Sequence, residues 1–180
     1  AVYKLSADAA SLTHGHPSAR QSAGSFSLLI HRLVAGDTLP DAAAAVLAEV
    51  RGLKDVAAEL PERFEAAIRC AGTGVLSPEE LVRQLGGGWV SEEAFAVGLY
   101  AVLATAPDAD STLSPEDHFR AAVALAVNHS GASDTTGSIA GNILGAYYGE
   151  ECLPPEWLNA FEGLDVIRGM ADLLVGVTTA

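Results

Sequence analysis

Residues 114–127, SPEDHFRAAVALAV, and residues 128–149, NHSGASDTTGSIAGNILGAYYG, decide the fold class between them. Ser114 is placed to cap a helix and Pro115 to fill its first position, where a missing N–H is no loss. Glu116 and Asp117 put negative charge in the first turn, against the positive end of the helix dipole. Apolar residues then recur with helical spacing to about Asn128. The run from His129 to Thr135 reads as a turn of short polar side chains. A second helix follows it and ends near Gly149.

The same punctuation recurs outward in both directions. Ser77-Pro78-Glu79-Glu80 starts a short helix to Leu85. Three glycines, Gly86 to Gly88, cannot sustain it, and Ser91-Glu92-Glu93 starts a strongly apolar helix through Ala106. Upstream, helices are expected over Ala1 to Leu12, from Pro17 to about Ala35, from Pro40 or Asp41 to Arg51, and from Pro61 to Ala71. Pro154-Pro155-Glu156 and Leu164 open the last two. No segment alternates with the period of two that a half-buried strand needs. The chain therefore reads as a single all-α domain over residues 1–180, with no internal repeat and no dividing linker.

The 180 residues carry 23 acids against 10 Lys and Arg, for a formal charge of −13. Without a basic patch such a surface repels a phosphate backbone, which argues against nucleic-acid binding. The longest apolar runs are too short to span a bilayer, so no membrane is expected. No charged segment followed by an apolar core opens the chain, so a cytoplasmic location without a signal peptide is expected. Cys70 and Cys152 admit one disulfide, with two buried thiols the favoured reading.

Three loops are candidates for chemistry. In the first, Thr13-His14-Gly15-His16-Pro17, a His-x-His pair lacks a third metal ligand in view, so polar residues at a helix start are the commoner outcome. In the second, Gly86-Gly87-Gly88-Trp89, the indole is either a stacking face or a core anchor. In the third, the oxygens of Ser133, Asp134 and Thr135 suit a helix cap, and capping is preferred over a cation or anion site. After that loop, Gly137, Gly141, Gly145 and Gly149 fall every fourth residue on one helix face. Each interior glycine costs about 1 kcal/mol relative to alanine, and close packing is the expected reason for the ladder. His31 and His118 are expected to be structural or solvent-facing. No phosphate-binding loop of the P-loop or Rossmann type is present, nor a serine nucleophile elbow.

Together the loops are more specific than apart. Thr13 to Pro17, then Leu85-Gly86-Gly87-Gly88-Trp89-Val90 with Glu92 and Glu93, then Asn128 through Thr136-Gly137 into Gly145-Ala146-Tyr147-Tyr148-Gly149, with Leu153-Pro154 and Trp157-Leu158 after, resemble the C-terminal half of the ADP-ribosylglycohydrolase family. The resemblance implies an all-helical orthogonal bundle. It also implies a hydrolase that removes ADP-ribose from a modified protein or small molecule, using two Mg²⁺ or Mn²⁺ ions. By the same resemblance Asp134 is the bridging metal carboxylate and catalytic residue, and Thr135 the adjacent metal ligand. Ser130 and Gly131 would line the site beside the ions, His14 would touch ADP-ribose, and Gly86, Gly87, Gly88 and Trp89 would lie near the adenosine.

Two departures qualify this. The family pattern has a carboxylate on each side of Ser133, and the first position here is Ala132. A methyl group ligates no cation, and one fewer charge weakens divalent-ion binding. The family's Gly-Asp opening, Thr-Asp-Asp metal segment and N-terminal glycine-rich segment are also absent from the 180 residues. The chain alone is thus expected to be inactive. The readings left open are a piece of a longer enzyme, a subunit completed by a second chain, a degenerate relative that binds ADP-ribose without catalysis, and an introduced change at position 132.

Overall fold

The computed structural model describes residues 1–107 and 111–178. Ten α-helices make up these residues, joined by turns and one short 3-10 segment, Glu150–Cys152, and they contain no strand. The helices are α1 (Val2–Ala10), α2 (Pro17–Val34), α3 (Leu39–Arg51), α4 (Glu59–Ala71), α5 (Pro78–Leu85), α6 (Ser91–Ala104), α7 (Pro115–Val127), α8 (Ser133–Tyr148), α9 (Pro155–Ala160) and α10 (Leu164–Thr178). The all-α expectation holds. Boundaries move by one or two residues at α1, α3, α4 and α6, as frayed helix ends do.

The caps expected at Ser77 and Ser114 form, and Thr38 supplies one at α3. The side chains of Thr38, Ser77 and Ser114 accept from the backbone N–H of Asp41, Glu80 and Asp117 respectively. Helix α8 departs from the pattern. Its N-cap is Ala132, which has no side-chain oxygen to offer, and Ser133, Asp134 and Thr135 already lie in the first turn. The capping expectation for those three residues is overturned. Ser133 Oγ instead points back to the carbonyls of His129 and Gly131, at 3.4 and 3.5 Å.

Helix α6 is the axis of the core. Its residues Ala94 to Val102 are all buried, and it packs on α2, α4, α5, α7 and α8. Phe95 meets Phe26 and Phe64 edge-on, with centroids 5.9 and 5.1 Å apart. Such pairings add to what their burial alone contributes. Gly98 lets α8 approach, since a Cβ there would sit 2.4 Å from Ile139 Cγ2. Tyr100 is fully buried, and its hydroxyl accepts from Leu76 N–H at 2.7 Å and donates to the Gly74 carbonyl. It thereby fastens the loop between α4 and α5.

His118 is wholly buried, so the structural half of its expectation holds. Its Nε2 faces the Val102 carbonyl at 3.0 Å and its Nδ1 the Tyr148 hydroxyl at 2.9 Å. A carbonyl only accepts, so Nε2 carries the proton and Nδ1 receives the phenol O–H. Burial lowers the pKa of this imidazole, while the Val102 bond opposes the shift. His31 is exposed. Cys70 and Cys152 are both buried free thiols.

The glycine ladder serves close packing at one rung only. A Cβ on Gly137 would meet Val127 Cγ1 at 2.7 Å, whereas one on Gly141 would find Phe119 at an ordinary 3.8 Å and one on Gly145 nothing. Gly141 and Gly145 border an open groove beside Phe119 and Leu153 instead. Same-face spacing holds for Gly137, Gly141 and Gly145, but Gly149 lies past the helix as its C-cap with φ 80°, and the spacing carried no information on what opposes each.

Candidate functional site

The three loops that are far apart in sequence meet at the start of α8. Gly86 and Gly88 both turn with positive φ, 90° and 76°, a region that favours glycine. This brings the Gly87 carbonyl to Ala132 N–H, at 2.8 Å. The approach requires Gly131 to lack a side chain, because a Cβ there would lie 2.0 Å from Gly87 O. A Cβ on Gly87 would lie 2.8 Å from the Trp89 indole nitrogen, so the ring sits directly against this glycine. The indole therefore rests back over the glycine loop with most of its surface, 74%, in solvent. The core-anchor reading of Trp89 is excluded, and the stacking face remains.

From behind, His129 braces this junction. Its Nε2 lies 2.9 Å from the Ala126 carbonyl and 3.1 Å from Thr136 Oγ1, which joins the end of α7 to the first turn of α8. From the third side comes the Thr13–Pro17 loop. His16 caps α2 by accepting Ser18 N–H, and Thr13 Oγ1 lies 2.8 Å from His14 Nδ1.

An open cavity of about 810 Å³ lies between the three loops. Its walls include His14, Gly88, Trp89, Asp134 and Thr135 together with Ala132. Gly86, Gly87 and Gly131 stand behind the wall, shaping it through the backbone contacts above. Ser130 faces a separate, smaller cleft with Pro78 and Glu79, because the chain leaving α7 turns away at Asn128. Sequence reasoning missed Ser18, Ser91, Glu92 and Glu59, which also border the main cavity. Ser18 and Glu92 are 74 residues apart yet hydrogen-bonded at 2.7 Å. Nothing local marks that pair, since Glu92 reads as one more first-turn acid.

Asp134 and Thr135 are exposed side by side, with the Thr135 hydroxyl 3.5 Å from Asp134 Oδ1. Asp134 forms no ion pair among the described residues. One carboxylate and one hydroxyl are a thin donor set for Mg²⁺ or Mn²⁺, and Ala132 presents a methyl where a second carboxylate would complete it. No group of three His, Cys, Asp or Glu side chains able to hold a metal occurs among the described residues. The described residues do not by themselves fit a binuclear centre. No helix among the described residues is long and apolar enough to cross a membrane.

The chain is similar in sequence to known proteins. The chain is 31% identical to mouse ADP-ribosylhydrolase ARH3 over 100 residues, covering 56% of this chain and 27% of that protein. It is 30% identical to the bovine protein of the same name over 96 residues, covering 53% of this chain and 26% of that protein. The match thus spans about a quarter of the length of these curated relatives. The ADP-ribosylglycohydrolase family profile matches from residue 1 to residue 180, and the chain belongs to that family.

Proposed function

We propose that this chain forms one side of an ADP-ribosyl hydrolase site, in which Asp134 is the catalytic carboxylate and the cavity at the start of α8 receives ADP-ribose. The observation that carries this reading is the convergence of the three loops on one cavity, with Asp134, Thr135, His14 and Trp89 on its walls. The exposed indole offers a stacking surface to the base, an interaction on the order of 1–3 kcal/mol. Gly87 and Gly131 let the wall close without side chains in the way. Asp134 is an acceptor placed to hold a water, a sugar hydroxyl or a cation. A two-ion centre would draw its remaining ligands from groups other than the described residues, such as a further segment of the protein or a second chain.

Calorimetry with ADP-ribose tests the reading directly. Saturable binding is expected, abolished by Trp89→Ala together with Asp134→Ala. Absence of binding with and without Mg²⁺ would overturn it. The missing carboxylate favours a second reading, a module that binds ADP-ribose without hydrolysing it. The two separate on Ala132→Asp supplemented with a chain bearing a Thr-Asp-Asp segment. Release of ADP-ribose only with Mg²⁺ or Mn²⁺ supports the hydrolase, and binding indifferent to EDTA with no turnover supports the module.

A further inference from the structure

Glu92 is the only buried acid among the described residues, with 8% of its surface exposed. The other first-turn acids of this fold, such as Asp41, Glu79 and Asp117, lie on the surface. Glu92 does not cap its own helix, whose N-cap is Val90 with no side-chain bond. Its Oε2 accepts from Ser18 Oγ at 2.7 Å and from Ser91 Oγ at 3.3 Å. Ser18 is itself tied to His16, whose Nδ1 lies 3.1 Å from the serine oxygen. A carboxylate taken out of water needs compensation of this kind, and two hydroxyls supply part of it. One oxygen is thus anchored, while Oε1 has no hydrogen bond among the described residues, and the residue borders the main cavity. Three positions earlier in the chain, the indole of Trp89 offers its face to the same cavity.

A flat π surface beside a fixed, acceptor-only group suits a planar ring that carries N–H donors on its edge. We infer that Glu92 reads the exocyclic 6-amino group of the base stacked on Trp89, selecting 6-aminopurine over 6-oxopurine nucleotides, with Ser18 and Ser91 as the residues that position it. This rests on the ADP-ribose reading above and adds the determinant of base choice. An oxopurine would turn a carbonyl lone pair toward the carboxylate, leaving both acceptors without a donor, which is an unfavourable arrangement for buried groups.

The test compares ADP-ribose with its hypoxanthine counterpart by calorimetry on the whole chain. The unaltered protein should favour ADP-ribose by about tenfold or more, the scale of one charge-assisted hydrogen bond. Glu92→Gln keeps the shape and adds an amide that can both donate and accept. It should weaken ADP-ribose, strengthen the hypoxanthine ligand and bring the two within about threefold. Ser18→Ala should lower the preference less, through a carboxylate less firmly held. Loss of folding in Glu92→Gln would weaken both ligands in proportion, and Ser18→Ala then decides whether preference tracks the anchor. Equal loss of both ligands in a folded Glu92→Gln, or an unchanged preference in both variants, overturns this inference alone. If the unaltered protein binds neither ligand, the ADP-ribose reading falls and this inference with it.

Discussion

Helices α6 and α10 are close in length, 14 and 15 residues, and both are strongly apolar. Their situations are opposite. Five helices cover α6, and ten of its residues are buried. No other helix packs extensively on α10, and Val166, Ile167, Met170, Leu173 and Val177 are each more than half exposed. An ion pair from Arg168 to Glu150, with Nε at 2.9 Å, ties α10 to the rest of the fold. Apolar content alone does not say what covers a helix. The distribution around the axis does: α6 is apolar on every side, while α10 carries Asp165, Arg168 and Asp172 between its apolar residues. An all-round apolar helix must be central, and an amphipathic one needs a single neighbour.

The largest expected difference between the two is in truncation of a leucine. Leu99→Ala in α6 should destabilise by about 2–5 kcal/mol, because it opens a cavity in packed surroundings. Leu173→Ala in α10 should change stability by no more than about 0.5 kcal/mol. Urea unfolding followed by circular dichroism measures both, and similar losses in the two would break the contrast. Glycine substitution gives the next largest contrast. Gly98→Ala forces Cβ into Ile139 and toward the Ala140 backbone N, at 3.3 Å, and should destabilise by about 1–3 kcal/mol. Gly169→Ala meets open space and should stabilise by about 0.5–1 kcal/mol through helix propensity. Thermal melts with opposite signs are the expected result.

A smaller effect comes from His118, which bonds α7 to the α6 carbonyl of Val102. Its folded pKa lies below the ordinary 6.5, so the unfolded chain binds the proton first as pH falls. The stability it contributes is complete above about pH 6.5 and declines as acid is added below it. The urea midpoint should fall from pH 7 to pH 5, and His118→Phe should flatten that part of the profile. An unaltered slope in the variant would remove His118 as the cause. The last effect concerns α10 alone. Val166, Ile167, Met170, Leu173 and Val177 expose apolar surface along it, so the chain should associate weakly. Sedimentation should show species heavier than a monomer, and Ile167→Lys with Leu173→Glu should shift them toward the monomer. A monodisperse monomer for the unaltered chain would show that the stripe needs no cover.

Much of the fold was legible because helix starts are local chemistry. Ser77-Pro78-Glu79-Glu80 and Ser114-Pro115-Glu116-Asp117 hold their cap, their N1 proline and their acids within four residues, and each starts a helix where expected. The same reasoning failed at Ser133. There the loop is shaped by the Gly87 carbonyl, 45 residues upstream of Ala132, and the helix begins one residue earlier than its best capping side chain. Trp89 shows the limit for site residues. A tryptophan after three glycines is compatible with burial or exposure, and only the packed structure shows it exposed, with its ring against Gly87.

By itself, the amino-acid order determined the helical class, most of the helix starts and, through the resemblance of three loops, the family. It also exposed Ala132, since a methyl group lacks a ligating atom in any fold. Tertiary structure decided which groups face one another. It brought Asp134, His14 and Trp89 to one cavity, sent Ser130 to another cleft, and paired Ser18 with Glu92 across 74 residues. The physical reason is range. Caps, helical periodicity and ligand chemistry act within a turn or two of chain, whereas burial and hydrogen bonding between distant segments depend on how whole helices pack.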